Sequence, residues 1–431
     1  MEGGQIMLIT FVILIMIVLL VLGVPVAFSI GIASLLYILL AGYDLSMVAQ
    51  SMVGGVDSFT LLAIPFFLFL GAIMNTGGIT DKIIDIAKTM VGHFKGGLAQ
   101  VNIFSSSIFA GLSGSATADT VALGSVLIPA MEKEGYDKKF AAAITATSSI
   151  VGPIIPPSIT LIIFGVVSGT PIGPLLIAGI IPGVLVSLSL MIYTYFISKK
   201  RGYPSYPKAT FKQRGSAMYK GFFALLLPLI IVFGIVTGTF TATESAGIAL
   251  IYAVIIVLFV YRSANIKDIW KIMKESTFES AKILIIISCA SVFAWVITRS
   301  QVSESIGDFL FNITTNQYII VLIIIVFLLV IGLFMLPSEG IVVFAPILTP
   351  IMTEVGMDPV QFGVLMVLTL TIGGASPPVG VLLYIVADIA KVSYIPLLKE
   401  VAPMYIPLVG TSILVGFVPS VSLILIEIFL N

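Results

Sequence analysis

A break in the first half of the chain reads Ser148-Ser149-Ile150-Val151-Gly152-Pro153-Ile154-Ile155-Pro156-Pro157-Ser158. A matching break in the second half reads Thr371-Ile372-Gly373-Gly374-Ala375-Ser376-Pro377-Pro378-Val379-Gly380. Both sequences interrupt apolar runs, and a Pro-Pro pair cannot continue the hydrogen-bond ladder of a helix. Unwound backbone at membrane depth persists only where protein, an ion or water satisfies its polar groups. Two such breaks, one in each half, therefore point to a binding site between them.

The composition defines the class of protein. The chain has 431 residues, of which 59% are hydrophobic and 10% are charged, whereas average soluble domains carry about a quarter charged residues. Its apolar runs are long and do not alternate with polar residues, so the spans are helices and not barrel strands. We therefore predict an all-α polytopic membrane protein in a lipid bilayer. The formal net charge of zero gives no general affinity for nucleic acid.

Two further apolar segments are interrupted by small or polar residues. The segment 98–130 is cut at Gly111–Asp119, and the segment 318–352 is cut at Leu336–Gly340. In the first, each side of the cut is about 13 residues, shorter than the ~20 needed to cross a bilayer, which favours a re-entrant hairpin. Each hairpin precedes a Pro-broken helix, which we place at 140–168 and 362–388. The two units form a structural repeat, and inversion of one relative to the other is a hypothesis.

These features divide the chain into four parts. We assign scaffold helices and an amphipathic arm helix to 1–96, the first repeat to 97–198, a basic loop with more scaffold helices to 199–298, and the second repeat with the C-terminal helices to 299–431. The basic loop contains Lys199, Lys200, Arg201, Lys208, Lys212, Arg214 and Lys220 and no acidic residue. By the positive-inside rule this loop is cytoplasmic.

The first hairpin tip is unusually polar for membrane depth. Ser113, Ser115 and Thr117 offer hydroxyls, while Gly114 lets the backbone turn sharply and expose carbonyls. Sodium prefers such oxygen ligands, and Asp119 can supply one negative charge. The alternative interpretation is close helix packing by small residues. Packing explains glycine and alanine better than a cluster of serine, threonine and aspartate, whose polar groups are costly at depth.

The first break has helix ends of opposite polarity. The end that begins at Ser158 favours an anion, and the carbonyls near Val151 favour a cation. Thr371, Ser376 and the Gly373-Gly374 pair repeat this chemistry in the second half. The alternative is a pair of structural kinks that neighbouring helices satisfy.

Glu339 lies at the second hairpin tip. An ionisable residue at membrane depth is a functional candidate by default. The alternative is a tip that reaches water, where Glu339 is merely solvated.

Several chemistries are disfavoured by what the sequence contains. His93 is the one histidine and Cys289 the one cysteine, so neither a zinc site of the usual kind nor a Ser-His-Asp set is convincing. The sequence has no Gly-x4-Gly-Lys-Ser/Thr phosphate loop. An intramembrane hydrolase needs a nucleophile and a base at one depth, and a channel needs no paired hairpins. We therefore predict that the chain is not an enzyme.

The motifs together resemble the large membrane subunit of tripartite ATP-independent periplasmic (TRAP) transporters. They are Gly111–Asp119, Ala146–Ser149 with Gly152–Ser158, and Pro377–Gly380 with Leu383-Tyr384. The resemblance covers essentially the whole chain and is closer to sialic-acid members than to C4-dicarboxylate members. It implies a multi-pass protein of the bacterial inner membrane that takes up an organic-acid anion with sodium by an elevator mechanism. It also implies a small four-helix membrane subunit and a periplasmic substrate-binding protein as partners.

The resemblance also implies roles for individual residues at the tips and breaks. For substrate it implies Ser115, Ser158 and Glu339. For sodium it implies Ser113, Gly114, Asp119, Ser149, Gly152, Thr371, Gly373, Pro377 and Val379. Many relatives have an acidic residue where this chain reads Leu336-Pro337, and Glu339, three places on, replaces it on the same helical face. A stand-alone sodium/anion symporter that needs no binding protein remains an alternative, because it shares hairpins and breaks.

Overall fold

The structure is a computed structural model that describes residues 2–76, 78–377 and 380–430. Within these ranges the chain is helical and forms no strand. The predicted all-α membrane fold is thereby confirmed.

The helices are numbered in chain order. In the N-terminal half they are α1 Glu2–Val21, α2 Val26–Leu40, α3 Ser46–Val56, α4 Ala63–Thr76, α5 Ile79–Val91, α6 Gly97–Ser113, α7 Ala116–Lys133, α8 Lys138–Ser148, α9 Ile159–Ser168, α10 Ile172–Ala178 and α11 Ile180–Arg201. In the C-terminal half they are α12 Phe211–Val236, α13 Ala242–Ile255, α14 Ile266–Arg299, α15 Val302–Ile313, α16 Gln317–Gly332, α17 Pro337–Glu354, α18 Pro359–Gly374, α19 Val381–Ala390, α20 Tyr394–Val401, α21 Tyr405–Phe417 and α22 Ser420–Phe429. Short 3-10 turns lie at Phe59–Leu62, Ser149–Val151 and Ala402–Met404, and a π-helical turn at Ile256–Val260 extends α13.

Local caps decide where the central helices begin. Reciprocal capping boxes, which satisfy otherwise unpaired N–H groups, start α12, α13 and α14 at Thr210–Gln213, Thr241–Glu244 and Asn265–Asp268. Among the described residues, four helical segments between 172 and 299 are long and apolar enough to cross a bilayer. Helices α4, α11 and α12 pack against α6 of the first hairpin, and α14 packs against α17 of the second.

Most of the basic residues assigned to one loop lie in helices, so the predicted extent of the loop was wrong, while its cytoplasmic location stays a prediction. Lys199–Arg201 form the last turn of α11, where the negative end of the helix dipole favours cations. Lys212, Arg214 and Lys220 lie in α12. The capping box at Thr210 starts α12 well before its apolar stretch, which leaves only Lys208 of the seven in the connection 202–210.

The connection 202–210, between α11 and α12, forms hydrogen bonds both to the end of the arm helix α5 and to the base of the first hairpin. The Tyr206 N–H donates to the carbonyl of Gly92, just past α5, at 2.9 Å. Its hydroxyl donates to the carboxylate of Glu134 at the end of α7. Burial, together with this hydrogen bond, raises the pKa of Tyr206, so the hydroxyl keeps its proton and stays a donor.

The two halves of the chain interlock. Helix α19 packs against α7 and α8, and α17 packs against α9. The rings of Phe164 in α9 and Phe362 in α18 contact each other with centroids 6.1 Å apart. Helix α14 packs against α2, α3 and α4 on one side and against α17 on another. Packing of this kind, and not burial from water, holds helices together in lipid, and here it places both breaks around one site.

Candidate functional site

A cavity of about 1120 Å³ lies where the hairpin tips and the breaks meet. Both tips and both breaks contribute to its wall, through Gly114–Ala118, Pro153, Ile159, Thr160, Leu336–Glu339, Thr371, Gly374, Val381 and Leu382. The helix stops at Val151 before the first break and resumes at Ile159, and it stops at Gly374 before the second and resumes at Val381. The structure therefore brings together the four elements that the sequence singles out.

The first hairpin turns within two residues. Gly114 ends α6 with φ +60°, and Ser115 caps α7 by accepting the Ala118 N–H at 3.4 Å. The hydroxyl oxygens of Ser115 and Thr117 lie 3.0 Å apart at the cavity wall. A Cβ added to Gly114 would collide with the carbonyl oxygen of Pro157. The hairpin tip therefore contacts the backbone of the first break at a position that only glycine fits.

The Asp119 carboxylate is fully buried behind this tip. The Ser113 hydroxyl donates to Oδ1, whereas Oδ2 has no hydrogen-bond partner in the described part of the chain. A Cβ placed on Gly152 would lie 2.7 Å from Oδ2, so the carboxylate lies against the unwound backbone of the first break. A buried charge is costly unless it is paired. The carboxylate and the Ser113 hydroxyl offer oxygen ligands of the kind that a small cation prefers.

Ser149 and Ser158 support the first break from inside the protein. The Ser149 hydroxyl donates to the carbonyl of Thr145 at 2.8 Å. The Ser158 hydroxyl donates to the carbonyl of Pro153 and accepts the Leu161 N–H at 3.0 Å, which caps α9. Both side chains are fully buried, and neither belongs to the cavity wall. Their assignment to sodium and substrate stays a prediction. Thr160, two residues past the cap, faces the cavity instead.

The helix ends around the cavity have opposite polarity. The N-terminal turns of α7, α9, α17 and α19 all border it, through residues such as Ala116, Ile159, Ser338 and Val381. The C-terminal ends of α6 and α18 border it as well, at Gly114 and Gly374. Free N–H groups and the helix dipole attract an anion at the former, and free carbonyls attract a cation at the latter. The cavity can therefore hold both kinds of ion.

Glu339 caps the second hairpin helix. Its carboxylate accepts the Leu336 N–H at 3.1 Å at the start of α17, and the half-buried side chain borders the cavity. An ionised carboxylate accepts hydrogen bonds and repels like charge. Glu339 can therefore accept hydrogen bonds from hydroxyl or amide groups of an anionic ligand, whereas it repels the ligand's carboxylate.

Hydroxyl groups donate hydrogen bonds to backbone carbonyls around the second break. The Thr371 hydroxyl donates to the carbonyl of Val367 at 2.6 Å, and the Ser376 hydroxyl donates to the carbonyl of Ile372 at 2.7 Å. From α21, the Tyr405 hydroxyl donates to the carbonyl of Ala375, where the helix has ended. Pro377 is exposed, and the sodium prediction for Val379 falls outside the described residues.

Gly373, predicted to bind sodium, lies at a tight crossing of α18 with α16. A Cβ on Gly373 would lie 2.6 Å from the Cα of Gly332. We expect Gly373→Ala to lower the stability by about 1–3 kcal/mol, because the two backbones cannot separate without disturbing their neighbours. Gly374→Ala is the matched control, since a Cβ there meets nothing within 4 Å. Thermal unfolding in one detergent compares the variants, and equal midpoints would contradict the tight crossing.

The structure adds cavity residues that the sequence does not single out. Glu279 and Lys282 of α14, Asn75 of α4 and Asp81 of α5 all border the cavity. Glu279 and Lys282 have the three-residue spacing of an ordinary ion pair on a helix surface, so no local signal marks them as cavity residues. The ring centroids of His93 and Phe94 lie 4.2 Å apart, and His93 is not part of the cavity wall. In the described ranges, no three His, Cys, Asp or Glu side chains form a possible metal group.

Fold and cavity together define a helical membrane protein with a large cavity where its hairpin tips and breaks meet. The family model for the tripartite ATP-independent periplasmic transporter, DctM component, matches residues 13–421. The chain belongs to this family, as its motifs predict, and the family consists of transporter permeases and not of enzymes.

Similar proteins include two bacterial relatives and one solved structure. The sialic acid TRAP transporter large permease protein SiaM of Vibrio cholerae is 40% identical over 95% of this chain and 96% of its own length. The sialic acid TRAP transporter permease protein SiaT of Haemophilus influenzae is 39% identical over 95% of this chain and 66% of its own length. The crystal structure of the YdaH transporter of Alcanivorax borkumensis shares the fold with a TM-score of 0.66 and 16% identity, covering 86% of this chain and 88% of that one.

Proposed function

We propose that this protein takes up an organic-acid anion together with sodium across the bacterial inner membrane, with sialic acid favoured over a C4-dicarboxylate. The observation that carries the proposal is the set of opposed helix ends around one cavity. The N-terminal ends of α9 and α19, whose first turns carry no acidic residue, attract the anion, and the carbonyl ends of α6 and α18 attract the cation. The similarity to SiaM and SiaT, which are sialic acid TRAP permeases, supports sialic acid as the cargo.

The buried Asp119 supports sodium as the coupled ion. Its Oδ2 lacks a hydrogen-bond partner among the described residues and lies against Gly152. A sodium ion there would compensate the charge and draw the hairpin tip and the break together. This ordering would raise the affinity of the neighbouring helix ends for the anion. Each sodium ion that moves down a potential of 100 mV contributes about 2.3 kcal/mol to accumulation.

The proposed movement is of the elevator type. The hairpins and broken helices interlock and would move as one unit, with the two repeats in inverted orientation. The frame consists of α1–α4 and α12–α14, and α14 forms part of the cavity wall. An unwound backbone whose polar groups are satisfied by cargo and ions can cross the bilayer without exposing those groups to lipid.

The proposed partners are a small four-helix membrane subunit and a periplasmic protein that delivers the anion. This chain spans 66% of the length of SiaT, and the additional third of that relative is consistent with a second membrane component. The rival function is a sodium/anion symporter that needs no binding protein.

Uptake by purified proteins tests the proposal. The chain is reconstituted with its small subunit, and N-acetylneuraminate is offered with the cognate binding protein. We expect an inward sodium gradient, combined with an inside-negative potential of about 100 mV, to raise accumulation at least about tenfold, because two sodium ions and one monoanion carry a net charge of +1, for which this potential supplies about 2.3 kcal/mol. Equal uptake without sodium would contradict the coupling, and equal uptake without the binding protein would favour the rival.

A further inference from the structure

The cavity wall contains a single cation among the described residues. Its charged side chains are Asp81, Glu279, Lys282 and Glu339. Only Lys282 can form an ion pair with an anionic cargo, and the three carboxylates repel its negative group. Helix ends provide a diffuse attraction, whereas an ammonium group provides a charged donor at one point. The charge distribution therefore singles out Lys282.

In the structure the Lys282 ammonium is engaged by a neighbour on its own helix. Nζ lies 2.6 Å from Oε1 of Glu279, three residues earlier in α14. The two side chains are 68% and 58% exposed, and ion pairs of this exposure are worth about 0–1 kcal/mol. A cargo carboxylate in the cavity can therefore replace Glu279 at little cost.

Lys282 belongs to the frame and not to the hairpins or broken helices. Helix α14 packs against α2, α3 and α4, while the tips and breaks come from α6–α9 and α16–α19. A contact from α14 to the cargo therefore exists only while the cavity lies opposite Lys282.

We propose that Lys282 is a specificity-determining residue that binds the carboxylate of the cargo by exchanging it for Glu279. The inference rests on the proposed function, since it needs an anionic cargo. Glu279 competes with the cargo carboxylate for the Lys282 ammonium. The contact between Lys282 and the cargo stabilises the cargo while the cavity lies opposite α14. It is lost when the mobile unit moves along the frame.

Equilibrium binding of radiolabelled N-acetylneuraminate to the transporter in nanodiscs, with sodium present, tests this exchange. We expect Lys282→Gln to raise the Kd about tenfold or more, the loss typical of a charge-assisted hydrogen bond. Glu279→Gln removes the competitor. It is expected to lower the Kd only about two- to threefold, because the exposed Lys282–Glu279 ion pair that it removes is weak. Lys282→Arg should restore most of the affinity. A merely structural helix pair would give both glutamine variants the same effect.

The matched control is the neighbouring pair Lys271–Glu275, whose atoms lie 4.0 Å apart on the same helix and outside the cavity wall. Lys271→Gln should leave the Kd unchanged. An unchanged Kd in Lys282→Gln, with wild-type binding intact, overturns the inference and leaves the proposed function standing. If the wild-type transporter binds neither N-acetylneuraminate nor succinate, the proposed function fails and the inference fails with it.

Discussion

The sodium concentration for half-maximal uptake is expected to rise about 100-fold when Asp119 is replaced by asparagine. The amide keeps the size of the carboxyl group and an acceptor for Ser113, but it removes the charge on the oxygen that lacks a partner among the described residues. Losing a charged ligand costs about 2–3 kcal/mol, and each 1.4 kcal/mol is a factor of about ten in affinity. The sodium concentration for half-maximal uptake in proteoliposomes measures the effect.

Thermal unfolding distinguishes an ion site from a structural role of Asp119. Without sodium, Asp119→Asn should be at least as stable as the wild type, because it removes a buried and incompletely paired charge. With sodium, the wild type should gain stability through binding, and the variant should not. Asp308→Asn, at an exposed position in α15, should behave as the wild type. A variant at position 119 that keeps the full sodium-dependent increase would contradict the site.

The breaks and hairpins could be predicted from the sequence because backbone chemistry alone requires them. A Pro-Pro pair cannot continue a helix, and Gly114 permits the left-handed turn at the first tip. The same reasoning placed Ser113, Ser115 and Asp119 at one tip, and the structure brings Ser113 and Asp119 into a hydrogen bond.

The remaining cavity residues could not be predicted, because their position depends on packing between distant helices. Lys282 and Glu279 have the pattern of an ordinary helix ion pair, and only the approach of α14 to the breaks places them in the wall. The orientation of hydroxyl groups is equally nonlocal. The sequence places Ser158 at the start of a helix, but only the structure shows that its buried hydroxyl donates to the carbonyl of Pro153 across the break.

Helix boundaries in the basic region show a third limit. An apolar run marks the part of a helix that crosses the bilayer, whereas its polar extension depends on caps. Thr210 and Gln213 form such a cap outside the hydrophobic stretch of α12. The sequence signal for this box is short and lies among charged residues, so the apolar run dominates the prediction.

Replacing Gly114 by alanine is expected to lower uptake strongly, for a reason that differs from that for Asp119. The residue has φ +60°, and a non-glycine residue in this region costs about 1–2 kcal/mol. The added Cβ also collides with the carbonyl oxygen of Pro157, which would push the hairpin tip away from the first break. Because Asp119 and Gly152 face each other across this contact, the proposed ion site would open. We expect uptake to fall about 100-fold, as a loss of 2–3 kcal/mol implies.

Gly202→Ala is the control that separates the collision with Pro157 from the energetic cost of alanine at a positive φ. Gly202 has φ +73° after α11, and a Cβ there meets nothing within 4 Å. Both variants therefore carry a similar backbone penalty of about 1–2 kcal/mol, but only Gly114→Ala disturbs the contact between tip and break. Thermal midpoints should fall for both, whereas sodium-driven uptake per folded transporter should fall for Gly114→Ala alone. Equal losses of uptake would mean that the contact between Gly114 and Pro157 has no role beyond stability.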